Sequence, residues 1–312
     1  MRMGLNGGCR LCPRECGVER QQTRGWCGAD DQIEVSAVCL HRGEEPPLSE
    51  AGGIVNVFFT HCNLQCIYCQ NSDIAARVVP DERVHYRSVA KVAERICQLL
   101  PQGNGLLGFV TAAHYAHWIP EILNEVRQRG FRPTVVYNSG GYESMETLHG
   151  LEGLVDIYLP DLKYMDPEMA LRYSHAADYP AVATAAIKEM ARQVGASLKC
   201  DERGVAYRGL VVRHLVLPGA VDNTLRCLDW LADNLPFSLH VSLMAQYFPP
   251  KEHLPSPLDR TLTPAEYEQA ASRFETLGFN GWLQELEAES YYRPDFSRPD
   301  NPFEYSPVTL NS

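Results

Sequence analysis

An uninterrupted apolar stretch of the ~18 residues that span a bilayer is missing from this chain, which argues against a transmembrane protein. Basic excess is missing too. The chain has 28 Lys and Arg against 39 Asp and Glu, a formal net charge of −11. That balance argues against wholesale binding to nucleic-acid phosphates or anionic lipid. There is no long run of one charge, no low-complexity block and no internal repeat. The opening MRMGLNGGCRLCPREC lacks the apolar core of a secretory signal. The chain is therefore expected to be cytoplasmic, where thiols stay reduced.

What the sequence has is cysteine, eleven of them. In a reducing compartment they point to metal or redox chemistry rather than to disulfides. Seven fall in two groups: Cys9, Cys12, Cys16 and Cys27 within nineteen residues, and Cys62, Cys66 and Cys69 within eight. Cys97, Cys200 and Cys227 sit in or near helical patterns and read as packing.

Residues 1–50 are rich in Gly, Cys and charge, show no sustained period and end in EEPPLSEAGG. They read as a loop-rich module followed by a short linker. From Gly53 onward apolar runs alternate with amphipathic segments. The runs at 53–59, 105–110, 133–138, 154–160, 210–219 and 237–244 read as buried parallel strands. Over 88–100, Ser88 is placed to cap a helix whose Val89, Val92, Ile96 and Leu99 share one face. Residues 118–129 repeat the pattern, and 180–194 and 222–234 follow it more weakly. Thr263, Pro264 and Glu266 spell a capping box, that helix stops at Gly278, and FNGWLQ supplies a further strand. The alternation predicts an α/β fold, an open, partial parallel β/α barrel of about six units over residues 51–285. The remaining residues 286–312, dense in aromatics, Arg and Pro, read as a tail strapping the barrel, by preference along its outside.

The stretch THCNLQCIYCQN leaves the C-terminal end of the first predicted strand, the rim where β/α barrels carry their active sites. A cubane [4Fe–4S] cluster takes four thiolates, so three local ones leave one iron open to a substrate. A zinc site completed by a distant ligand is the plainer alternative.

The spacing Cys-x3-Cys-x2-Cys, with Tyr68 before the third cysteine, resembles the signature of the radical SAM superfamily. The resemblance implies that Cys62, Cys66 and Cys69 hold a [4Fe–4S] cluster whose open iron chelates S-adenosylmethionine. One electron would cleave the sulfonium into methionine and a 5′-deoxyadenosyl radical. Tyr68 would lie against the adenine. Over residues 50–285 the chain resembles the pyruvate formate-lyase activating enzymes, in a related branch with an N-terminal cysteine module. YNSGG at 137–141 corresponds to their Asn-Gly turn and implicates Asn138. PDLKYMD at 160–166 implicates Asp161 and Lys163, and VRHLVLPG at 212–219 implicates Arg213. A zwitterionic sulfonium with ribose hydroxyls needs such acceptors, a cation and close backbone approach. One departure stands out. Where the superfamily has a Gly-Gly-Glu-type segment after the second strand, this chain reads GFVTAAHYAHW, offering Thr111, His114 and His117, with His114 the best-placed candidate.

The four cysteines in CRLCPRECGVERQQTRGWCGA would close a zinc site or hold an auxiliary iron–sulfur cluster, with Cys39 as a spare ligand. The resemblance further implies an electron donor such as flavodoxin or ferredoxin, and a glycyl-radical protein as target. Modification of a small molecule or of another protein site is the alternative within the enzyme class. A non-catalytic electron-transfer or metal-binding protein is the alternative outside it.

Overall fold

The computed structural model describes residues 4–5, 7–49, 52–286 and 293–303. Among them are nine strands: β1 Val35–His41, β2 Ile54–Phe59, β3 Leu106–Val110, β4 Thr134–Ser139, β5 Ile157–Pro160, β6 Lys199–Cys200, β7 Ala206–Leu215, β8 His240–Met244 and β9 Asn280–Leu283. The helices are α1 Pro46–Ser49, α2 Ser72–Ala75, α3 Val89–Leu99, α4 Ile119–Gln128, α5 Met145–Leu151, α6 Pro167–Ser174, α7 Tyr179–Val194, α8 Val221–Asn234 and α9 Pro264–Leu277. The main sheet runs β1-β2-β3-β4-β5-β7-β8-β9. From β2 to β9 every neighbouring pair is parallel. β1 adds antiparallel at one edge, and the short β6 pairs antiparallel with β7. β9 does not return to β1, so the α/β barrel is partial and open.

Both faces of the central strands β2, β3 and β5 are buried, which is why they read as continuous apolar runs. One parity packs under the helices: Val55, Val57, Phe59, Leu107, Phe109, Val135 and Tyr137 join the main core. The other parity faces the inside of the barrel and changes along each strand. Ile54, Leu106, Val136, Leu159 and Val211 form a closed apolar layer. One register step further on, Asn56, Gly108, Asn138, Asp161 and Arg213 bring in polar groups. A side chain at Gly108 would stand 1.9 Å from the Asn56 amide oxygen, so the glycine makes room for that group. The ends of α3 and α9 match the sequence: Ser88 accepts from the Lys91 amide, and Thr263 with Glu266 forms a full capping box before the left-handed Gly278.

Three features differ from the sequence expectation. Residues 33–41 were expected in a loop-rich module, yet Val35–His41 is a strand, because its apolar side chains complete the sheet edge beside β2. The predicted linker EEPPLSEAGG folds into the barrel. Leu48 joins the apolar layer, and Glu44 and Glu45 pair with Arg213. The described part of the tail, 293–303, does not pack on the outside. Phe296 is buried against Ala37, Cys39, Phe58 and Val110, and Pro294 and Phe303 border the cleft described next. The rest of the tail lies outside the described residues.

Candidate functional site

A cleft of about 940 Å³ opens at the C-terminal ends of the parallel strands. It is at the upper end of the volumes that hold small-molecule ligands. Cys62, Cys66, Cys69, Tyr68, Asn138, Asp161, Lys163 and Arg213 all line it. Residues 100 to 150 positions apart in the sequence thus meet in one place, because each sits at or just past a strand end.

The cysteine loop turns through His61 and Gln65, both in left-handed backbone (φ 63° and 60°). The Gln65 amide bridges the Cys62 and Ala75 carbonyls at 2.7 Å each. The Leu64 N–H points at the Cys62 sulfur at 3.3 Å. The Ser174 hydroxyl donates to Cys66 at 2.9 Å. It lies 2.7 Å from the Tyr164 hydroxyl, which lies 2.6 Å from that of Tyr68. Burial pushes the Cys62 thiol up to about 11 and the Cys69 thiol up to about 12, and the Cys66 charge beside them adds to both rises. Lys163 acts in the opposite sense on both. Hydrogen bonds to sulfur and a nearby cation are what a thiolate-ligated centre needs. The donor set therefore fits an iron–sulfur cluster. Among the described residues, no three His, Cys, Asp or Glu side chains yet stand at the spacing of a formed metal-ion site.

Asp161 and Lys163 pair with each other at the cleft wall. Burial alone would lower Lys163, but the Asp161 carboxylate holds it above its ordinary range. The Tyr179 hydroxyl accepts from the Lys163 amide and lies 2.9 Å from the Gly140 and Asp161 carbonyls, tying two cleft segments together. Gly141, at φ +79°, has no alternative. A Cβ there would stand 2.3 Å from the Asp161 carbonyl oxygen.

Arg213 is not a free cation. Its guanidinium binds Glu45 through two bonds of 2.7 Å and also contacts Glu44, which accepts from Asn56 at 2.8 Å. Desolvation would raise the Glu44 carboxyl, but Arg213 outweighs it and holds the group below the usual carboxylate range. Sequence reasoning missed Glu44 and Glu45. The signal available was Arg213 itself, a cation in an apolar run that required a counter-charge. Glu143 was missed as well. It lines the cleft, and burial pushes its carboxyl up to about 7 against hydrogen bonds from Ser139 and Tyr137.

Among the residues expected to place S-adenosylmethionine, His114 does not line the cleft. It is fully buried, its Nε2 lies 2.7 Å from the Thr60 carbonyl, and burial lowers it to about 3. The turn after β3 directs the ring inward, beneath the cysteine loop. Thr111 from the same segment does border the cleft, in left-handed backbone (φ 56°). Cys9, Cys12, Cys16 and Cys27 lie outside the cleft, in the module docked behind the loop. Cys39 packs with Phe58 and Phe296 instead, so it is no substitute ligand.

No protein family matches the chain. An uncharacterized protein of Methanocaldococcus jannaschii is 29% identical over 270 residues, which cover 84% of this chain and 72% of that protein. Solved structures with a similar chain path include a domain of pyruvate-formate lyase-activating enzyme from Bacteroides vulgatus, at 14% identity and a TM-score of 0.39 over 55% of this chain and 91% of that one. AdoMet-bound anSMEcpe shares 10% identity with a TM-score of 0.44, over 69% of this chain and 57% of its own. Methylornithine synthase shares 14% with a TM-score of 0.45, over 80% and 74%. At such identities the likeness assigns no residue a role. Among the described residues no helix is long and apolar enough to cross a membrane.

Proposed function

We propose that the chain is a radical S-adenosylmethionine enzyme in which Cys62, Cys66 and Cys69 hold a [4Fe–4S] cluster. The observation that carries this reading is the convergence of those three thiols with Tyr68, Asn138, Asp161, Lys163 and Arg213 around one cleft at the strand ends. A bound cluster of this kind supplies the electron that cleaves the sulfonium of S-adenosylmethionine. The chain's own groups do the rest. The Leu64 amide and the Ser174 hydroxyl stabilise the Cys62 and Cys66 sulfurs as thiolates. Asp161, held by Lys163, offers an acceptor to ribose hydroxyls or to the amino group. With no Gly-Gly-Glu segment after β3, Glu44 and Glu45 bring the further carboxylates to the cleft. Tyr68, fixed through its hydroxyl, presents its ring to the adenine.

The reading requires a one-electron donor of the flavodoxin or ferredoxin kind. Its first target class is a glycyl-radical protein. A small substrate is the second, favoured by Pro294 and Phe303, which add apolar wall to the cleft. Alanine at each of Cys62, Cys66 and Cys69 should remove about four irons per chain and abolish reductive cleavage of S-adenosylmethionine. Turnover that survives in the triple variant would sink the reading. A glycine-centred EPR doublet on a candidate partner separates the first target class from the second.

A further inference from the structure

Residues 7–34 form no helix or strand, yet Cys9, Leu11, Cys12, Cys27 and Ala29 are each at most 5% exposed. A segment that short buries too little apolar surface to order itself without a staple. The geometry around its sulfurs points to what the staple is. Cys9 lies within electrostatic reach of Cys16, Cys12 of Cys9 and Cys27, and Cys27 of Cys9 and Cys16, so the sulfurs form one cluster. Cys16 completes the set. A Cβ built on Gly25 would lie 3.5 Å from its sulfur and 3.4 Å from that of Cys27, so the two sulfurs flank one glycine.

Arg20 is the second, independent observation. It is 5% exposed, and its guanidinium lies 3.7 Å from the Cys27 sulfur and within electrostatic reach of Cys9. Further contacts run to the His114 carbonyl at 2.7 Å and the Asp30 carbonyl at 3.5 Å. Its Nε has no partner, and among the described residues no carboxylate pairs with it. A buried guanidinium among neutral thiols and carbonyls is an uncompensated cation. Facing thiolates on a metal, it is a counter-charge.

We propose that Cys9, Cys12, Cys16 and Cys27 are the complete ligand set of a second metal centre, zinc or an iron–sulfur cluster, with Arg20 as its counter-charge. Four thiolates leave no open position, so this centre holds structure or passes electrons and does not bind substrate. Loading it releases the thiol protons. The proposal does not rest on the chemistry assigned to the loop at 60–71, and the test keeps the two apart.

Zinc, iron and acid-labile sulfide are counted in the full chain carrying Cys62, Cys66 and Cys69→Ala, purified anaerobically. One zinc, or an iron complement with sulfide, should persist, and should fall at least tenfold when Cys12→Ser or Cys27→Ser is added. Zinc without sulfide marks a structural centre and iron with sulfide a redox one, and both support the proposal. A triple variant free of metal, or one whose metal survives Cys12→Ser and Cys27→Ser, overturns it. Because a cysteine variant can misfold, Arg20 is tested separately with all cysteines intact. Release of this centre's metal to a chelator should be about tenfold faster in Arg20→Gln and near the parent rate in Arg20→Lys. Equal rates in all three would remove Arg20 from the site.

Discussion

Glu143 and Arg213 carry their charges in opposite ways, and each supports a measurement. Glu143 is a carboxyl raised to about 7 by burial. Its folded form holds a proton that the unfolded chain gives up near pH 4.5. Its stabilising contribution is therefore complete below that value and is lost as pH rises through about 7, at most about 3 kcal/mol. Urea midpoints should fall between pH 5 and 7.5 in the parent protein, and Glu143→Gln should flatten that slope. A parallel slope in both would place the titration elsewhere. Arg213 is charged and doubly paired. Glu45→Ala would leave it short of its bidentate partner in a largely buried site, costing roughly 3–5 kcal/mol, readable as a lower urea midpoint. At this scale the sequence named residues that the structure brings to one cleft, the three loop cysteines, Asp161 and Lys163 among them. It failed for Glu44 and Glu45, since two carboxylates before two prolines look like any solvated linker until the cation that needs them is placed.

The loop at 60–71 is held from behind by an element that the sequence marked only for its cysteines. Arg14 bonds to the Asn63 carbonyl at 2.9 Å and the Ser174 carbonyl at 3.0 Å, and also contacts the His175 carbonyl. Its guanidinium lies over the Trp26 ring at 3.7 Å, a cation–π contact that fixes its direction. Arg14→Ala should raise amide exchange of residues 62–66 by about tenfold, the loss of roughly one net hydrogen bond or a little more. Unchanged exchange would show that the loop holds itself. Gly141→Ala forces a Cβ against the Asp161 carbonyl in left-handed backbone and should lower stability by about 1–3 kcal/mol, visible as a lower Tm. The longer helices and the central strands were legible because their periods are unbroken. β1 was not, because its run VSAVCLH sits among cysteines and glycines that suggested a metal module. α5 and α6 are too short to show a period.

On the scale of the whole molecule, the open barrel needs something across its gap, and the tail supplies part of it. Phe296 is 1% exposed between β1, β2 and β3, and Asp300 reaches Arg95 on α3 at 2.8 Å. Phe296→Ala should cost about 3–5 kcal/mol, measured as a drop in Tm. If the Tm does not move, the tail is an ornament of the cleft and not part of its wall. The tail's place was illegible from the sequence because aromatic and proline content says that a segment packs, and not against which face.

The contact between Arg14 and His175 spans 161 residues, which gives the module at residues 7–34 a history as well as a position. On the ribosome the first cysteines emerge long before the surface that will cover them exists. At ordinary elongation speeds that interval is about 10–30 s. Through it the four thiols are open to oxygen and to competing metals, so the metal proposed for this module can be won or lost during synthesis, before its covering surface exists.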